Sequence, residues 1–364
     1  MRKPRYLYPI VLVAASLLAA FLLGEIGLRV AGIGYRRSPH ESHSVLHHVH
    51  PRNVIFKTHS PWGYYEDHLV RYDEDGCVAN PDASAAPRAD SAATYRVAFM
   101  GDSYVAAVEL PYAETFVARL EHSAGARTVI RNYGVASYSP MLYVLQWQEQ
   151  VSKFQPTHVF LLLCANDVGN DEEYLRRAVF ADDGTLRAVP GPHTSFFVRL
   201  FARSYVLRLV RKVQLQLQWR RARGEGEESE VVERFVEENP GITAVTARYV
   251  KELARTVEAG GATFTLMVVP SRYRLRHPNE VPGTPEFSDR WRAWAAAEGV
   301  AFFDLVPPFR EAASRGADEF LGGDVHFSRE GHEVVADALR NAYPRLFGDK
   351  PPAGVPNARF QSAN

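Results

Sequence analysis

Serine, histidine and aspartate together are the parts of a nucleophilic acyl-transfer site, and this chain carries each in a context that exposes it. The apolar run Val97-Ala98-Phe99-Met100 stops abruptly in Gly101-Asp102-Ser103. A chain puts a serine hydroxyl in this way on the loop past a buried strand, where open α/β sheets receive their ligands. Far downstream, Gly323-Asp324-Val325-His326-Phe327-Ser328 offers a base and a carboxylate to orient it, two residues apart. An unassisted hydroxyl is a poor nucleophile at neutral pH. His326, with an ordinary pKa of ~6.5, is the base expected to take its proton. Asp324 is expected to fix the imidazole tautomer and stabilise the imidazolium. Asp102 and Asp318 are the alternative carboxylates. On this reading activity rises with pH through an apparent pKa of ~6–7. Alone, each signal is weak, since a Gly-Asp-Ser tripeptide is more often a turn.

Two further motifs lie between these. Asn132-Tyr133-Gly134-Val135-Ala136-Ser137 follows the apolar run Thr128 to Ile130, and Cys164-Ala165-Asn166-Asp167 closes the run Val159 to Leu163. With four blocks in this order, residues 95 to 346 resemble the SGNH (GDSL-type) hydrolase family. The resemblance implies site residues Ser103, Gly134, Asn166 and His326. It implies an oxyanion hole made of the backbone N–H groups of Ser103 and Gly134 and the side-chain amide of Asn166. Without a Cβ, the Gly134 N–H could approach a substrate closely. Cys164 stands where that family usually has glycine, and the Asp-to-His spacing is two where three is commoner. Asp167 is expected to fix its loop. Asn166 also reads as a helix or turn cap, and His332 as a helix-surface histidine. Tyr104, Tyr138 and Trp147 read either as pocket lining or, more commonly for such aromatics, as core.

Composition bounds the function. The 364 residues carry 42 basic and 42 acidic side chains, a formal net charge of zero, which argues against a nucleic-acid partner. Two cysteines, Cys77 and Cys164, do not make a disulfide scaffold. No Cys/His grouping has metal-ligand spacing, so no metal or cofactor is expected. His47, His48 and His50 read as surface.

The elements that must position the site follow from periodicity. Strands are expected at 96–100, 127–131, 158–164, 262–269 and 300–304. Helices are expected near 112–124, 140–153, 240–259, 285–298 and 329–345. Alternating strand and helix implies a parallel sheet covered on both faces. The resemblance implies a flavodoxin-like three-layer α/β/α sandwich. An insertion occupies about 170–240. Within it, Thr194 to Arg223 suits a long helix with interleaved arginines, and no acidic residue occurs from Gly184 to Gly224. That helix either lies on a membrane or anionic surface or packs its apolar face on the domain. The acidic run Glu225 to Glu230 reads as a solvated loop.

Ahead of all this, Arg2, Lys3 and Arg5 precede an uncharged run from Tyr6 to Leu23. At ~1.5 Å per residue such a run spans most of a bilayer core, and the basic flank predicts a cytoplasmic N-terminus. A cleaved signal peptide is the competing reading. The expected organisation is a cytoplasmic start and transmembrane anchor (1–30), a juxtamembrane segment and linker (31–94), the hydrolase domain (95–346) and a C-terminal tail (347–364). The function expected is a membrane-anchored, outward-facing serine esterase. Its substrate would be a small acyl ester or an acylated carbohydrate. An O-acyltransferase using the same triad and a non-catalytic accessory protein of polysaccharide assembly are the rivals.

Overall fold

The computed structural model describes residues 7–31, 39–58, 65–83, 93–192, 203–222, 242–277, 285–322 and 324–348. Eight segments join one sheet: Val54–Lys57 (β1), Leu69–Tyr72 (β2), Val78–Ala79 (β3), Tyr95–Gly101 (β4), Thr128–Asn132 (β5), His158–Leu163 (β6), Thr263–Val268 (β7) and Phe302–Phe303 (β8). Their spatial order is β8-β7-β6-β4-β5-β3-β2-β1. The strands from β4 to β8 are parallel to one another, in the order expected of a flavodoxin-like sheet. In such a sheet the order reverses between the first and third strands, and ligands bind at their carboxyl ends there. Here those strands are β4 and β6, which end at Gly101 and Leu163.

Both faces of these strands are covered, which is why their sequences read as unbroken apolar runs. Residues alternate across the sheet. Val97, Phe99, Phe160 and Leu162 pack with Phe116, Phe309, Val335 and Leu339 on one side. Ala98, Met100, Leu161 and Leu266 pack with Leu142, Val250, Leu253 and Trp291 on the other. The covering helices begin with Leu7–Ala31 (α1), Ser103–Ala106 (α2), Phe116–Ser123 (α3), Pro140–Glu149 (α4) and Asp167–Leu175 (α5). Then come Tyr205–Ala222 (α6), Ala244–Ala259 (α7), Arg272–Arg276 (α8), Phe287–Glu298 (α9), Val306–Ser314 (α10) and Arg329–Ala342 (α11).

Two findings differ from the sequence expectation. The sheet is mixed, because β3 pairs antiparallel with β5 and carries β2 and β1 in antiparallel order beyond it. These strands come from the stretch read as juxtamembrane. At two to four residues each, they are too short to carry a period. Part of the expected linker, 84–92, and the tail from 349 onward lie outside the described residues.

The second finding concerns the insertion. The first part of its expected helix (194–202) and the acidic run after it lie outside the described residues, and α6 (Tyr205–Ala222) forms most of the remainder. Its N-terminus meets α1: the Glu25 carboxylate accepts from Ser204 Oγ at 2.9 Å, Tyr205 N at 2.9 Å and Val206 N at 3.1 Å. Arg29 donates to the Arg203 carbonyl at 3.0 Å. A carboxylate on the first N–H groups of a helix satisfies donors that have no partner within the helix. The apolar side chains of α1, among them Leu12, Leu17, Leu18 and Leu22, are exposed. By length and composition, Tyr8–Ala31 could cross a membrane.

Candidate active site

The site begins where β4 runs out. Gly101 has no room for a side chain: a Cβ would lie 2.4 Å from Val105 Cγ2 and 2.9 Å from the Leu162 carbonyl oxygen. Asp102 is fully buried. Its Oδ1 accepts from Tyr104 N at 3.0 Å and so caps α2, while its Oδ2 accepts from Asn166 Nδ2 at 3.2 Å. Ser103, the first residue of α2, is thereby fixed above the sheet by its neighbour's carboxylate.

The other half of the site arrives from the turn before α11. His326 Nε2 lies 2.7 Å from Ser103 Oγ, and His326 Nδ1 lies 2.6 Å from Asp324 Oδ1. With Nδ1 donating to Asp324, Nε2 is left to accept the serine proton. Several contacts hold the turn. Tyr104 donates its hydroxyl to the Val325 carbonyl at 2.5 Å, Arg272 donates to the Asp324 carbonyl at 2.9 Å, and Leu321 N donates to the His326 carbonyl at 2.9 Å. Ser103 and His326 are 223 positions apart in the chain, and the fold brings them into hydrogen-bond contact.

The remaining expected residues separate. Asn166 sits at the start of α5 beside the Ser103 loop. Asp167 fixes that loop as expected, its Oδ2 accepting from Cys164 N at 3.0 Å. The Gly134 N–H, by contrast, donates to Asn132 Oδ1 at 2.9 Å, so its proton is engaged within its own loop. A Cβ on Gly134 would lie 2.3 Å from Ala106 N. Its lack of a side chain therefore serves the packing of this loop against α2. Asn132 completes the contact by donating to the Val105 carbonyl at 2.7 Å.

Of the aromatics read as pocket lining or core, Tyr138 and Trp147 are buried in the core. Tyr104 is buried as well and clasps the His326 turn. The alternative carboxylate Asp318 is largely exposed and pairs with Arg276. His332 is not a surface residue. It is buried, its Nδ1 accepts from Phe116 N at 3.2 Å, and burial pushes its pKa down to about 3. Nor is His50 at the surface, since it is buried and stacks on Tyr72 with ring centroids 3.8 Å apart. His47 and His48 are half-buried. Each of these histidines falls in a stretch whose polarity on paper did not reveal the layer that covers it.

Electrostatics bring in a residue that sequence reasoning missed. Glu109 Oε1 lies 4.0 Å from His326 Nδ1, on the side chain of a largely buried residue. The signal was a single acid within the otherwise apolar Val105-Ala106-Ala107-Val108-Glu109-Leu110. Burial of His326 favours the neutral imidazole, but Glu109, Asp324 and Asp102 outweigh it and raise the pKa to about 9. Burial likewise acts to raise Asp324, yet its bond to His326 leaves it below the ordinary value. A base with this pKa would shift the activity rise from the ~6–7 read in the sequence to the alkaline side. Among the described residues no group of three or more His, Cys, Asp or Glu side chains is placed to hold a metal ion.

Comparison with known proteins now bears on this geometry. The family model described as the GDSL-like Lipase/Acylhydrolase family matches residues 99–334. Among solved structures, a catalytic mutant of Axe2, an acetylxylan esterase from Geobacillus stearothermophilus, is 14% identical. It covers 71% of this chain and 96% of its own, with a TM-score of 0.42. LAE5, an alpha/beta hydrolase enzyme from the metagenome of Lake Arreo, is 16% identical, with 70% and 97% coverage and a TM-score of 0.40. A member of the lipolytic protein G-D-S-L family from Veillonella parvula is 14% identical, with 69% and 99% coverage and a TM-score of 0.40. No curated protein matches the chain.

Proposed function

The chain belongs to the GDSL-like lipase/acylhydrolase family and is an ester hydrolase; from that premise we propose that it is a serine esterase working through Ser103, His326 and Asp324. The observation that carries this reading is the 2.7 Å approach of His326 Nε2 to Ser103 Oγ, backed by the 2.6 Å bond from Nδ1 to Asp324. In the first step His326 takes the hydroxyl proton as Ser103 Oγ attacks the ester carbonyl. The tetrahedral oxyanion collapses, the C–O bond to the alcohol breaks, and the imidazolium gives its proton to the departing oxygen. Water then repeats the sequence on the acyl-enzyme and releases the acid. The oxyanion needs donors already in place. The Ser103 N–H and the Asn166 amide fill that role; the Gly134 N–H is bonded to Asn132.

The substrate proposed is a small acyl ester, including an acylated carbohydrate, reached on the outer side of a membrane in which α1 is the anchor. The uncharged run Tyr6 to Leu23 that makes up most of α1, the exposed apolar side chains of the helix and the basic residues ahead of it support the anchor. The direct test of the triad is a panel of para-nitrophenyl esters against the full-length protein in detergent, alongside Ser103→Ala. The alanine variant should lose roughly 10⁴-fold or more in kcat with an unchanged circular dichroism spectrum. Retention of more than a few per cent of the rate would remove Ser103 as the nucleophile.

A further inference from the structure

Two carboxylates face the Nδ1 edge of His326, and the triad uses one of them. Asp324 accepts the Nδ1 proton at 2.6 Å; Glu109 Oε1 stands 4.0 Å from the same nitrogen. Glu109 lies outside the turn that holds Asp324 and His326. It follows α2, where Ala107 takes a left-handed conformation (φ 48°) as the helix ends. That bend returns the chain toward the site three residues after the last turn of the nucleophile's helix. The side chain is 13% exposed, and its Oε2 is buried with no hydrogen-bond partner among the described residues. A buried carboxylate oxygen left unpaired is costly, and a cation beside it is what makes such a position tenable.

We propose that Glu109 is a positioning residue of the active site: a second carboxylate facing the Nδ1 edge of His326, which stabilises the imidazolium formed when Ser103 gives up its proton. The inference rests on the triad reading above. Of the other groups facing the imidazole, Asp102 also favours the imidazolium, but less than Glu109 does. Asp102, at the end of β4, is engaged with Tyr104 N and Asn166. Tyr104 of α2 presents its ring, with centroids 5.2 Å apart, and sends its hydroxyl to Val325. His332 of α11 is held neutral by burial. Arg272 of α8 spends a donor on the Asp324 carbonyl. Burial holds the Glu109 carboxyl above its ordinary value, and the facing His326 acts against that rise. Each proton transfer then develops positive charge beside Glu109 as well as beside Asp324. The free base becomes available only at higher pH.

The test is Glu109→Gln, which keeps the shape and removes the charge. The readout is the pH profile of kcat/KM for para-nitrophenyl acetate with the full-length protein in detergent. The wild-type midpoint should lie near 9. The variant's should fall by about one unit or more, the scale for an opposite charge about 4 Å away, with KM little changed. Glu109→Asp keeps the charge but withdraws it by one methylene, and should give a smaller fall. It also serves should the glutamine variant not fold. A profile that keeps the wild-type midpoint in these variants overturns the proposal. NMR titration of the His326 imidazole reads the same shift without catalysis. If the wild type proves inactive, the esterase reading fails, and the titration still decides whether Glu109 acts on His326.

Discussion

At His326 two opposing influences meet. Burial favours the neutral ring, three carboxylates favour the cation, and the carboxylates prevail. With His326 as the proposed base, the rate is expected to climb toward pH 9. Asn166 is the residue where the proposed oxyanion stabilisation can be isolated. Its amide already leans on Asp102 at 3.2 Å, which orients it before substrate arrives. Donors held in place this way act on the transition state more than on the bound ester. Asn166→Ala should therefore lower kcat by roughly 10²–10³ while KM stays within about twofold. Steady-state kinetics on one ester decide it: a change confined to KM would make Asn166 a binding residue instead.

Among the elements, α1 and α6 pack against each other. The Glu25 carboxylate ties the start of α6 to α1, and Arg29 adds a second tie to the Arg203 carbonyl. The insertion thus returns to the apolar N-terminal helix. A helix with this much exposed apolar surface is unstable in water and stable in a bilayer. The full-length protein should stay with the membrane fraction after a carbonate wash. N-terminal sequencing of the membrane-bound form should find the original start. A soluble form beginning after about residue 20 would show instead that the segment is a removed signal, and with it would go much of the helix that α6 rests on.

For the whole molecule, buried histidines set an acid limit. His50 and His332 are pushed down to about 3 by burial, against an ordinary value of ~6.5. Below pH ~6.5 the unfolded chain binds protons that these two sites refuse when folded, so their contribution to stability is lost as pH falls from there toward 3. Glu121 and Asp171, raised by burial to about 7 and about 6, act in the opposite sense. They stabilise the fold in acid and lose that contribution as pH rises. His326, raised to about 9, contributes fully below ~6.5 and loses its share through 9. A single variant separates these terms. His332→Gln cannot titrate, so the stability advantage of the wild type over it should shrink below pH ~6.5, by up to about 1.4 kcal/mol per pH unit. Denaturation midpoints of the two proteins at pH 7, 6, 5 and 4 measure it. A constant gap would mean that His332 is not excluded from protonation in the fold.

What the sequence determined by itself was whatever is written locally. The apolar runs ending at Gly101 and Leu163 marked buried parallel strands, because a strand covered on both faces must be apolar at every position. Ser103, Asn166, Asp324 and His326 were legible because each follows such a run or precedes a helix. Only the tertiary structure decided what depends on contacts across the chain. It put three short antiparallel strands onto the sheet edge, since two to four residues carry no period and the contact that joins them to the parallel strands, Val78 of β3 with Asn132 of β5, spans about fifty residues of chain. It engaged the Gly134 N–H with Asn132 and buried His50 and His332, facts set by what packs above them. It also brought Glu109 beside His326 across more than two hundred residues. The charge that sets the proton affinity of the base is a matter of distance in space, and no local pattern encodes it.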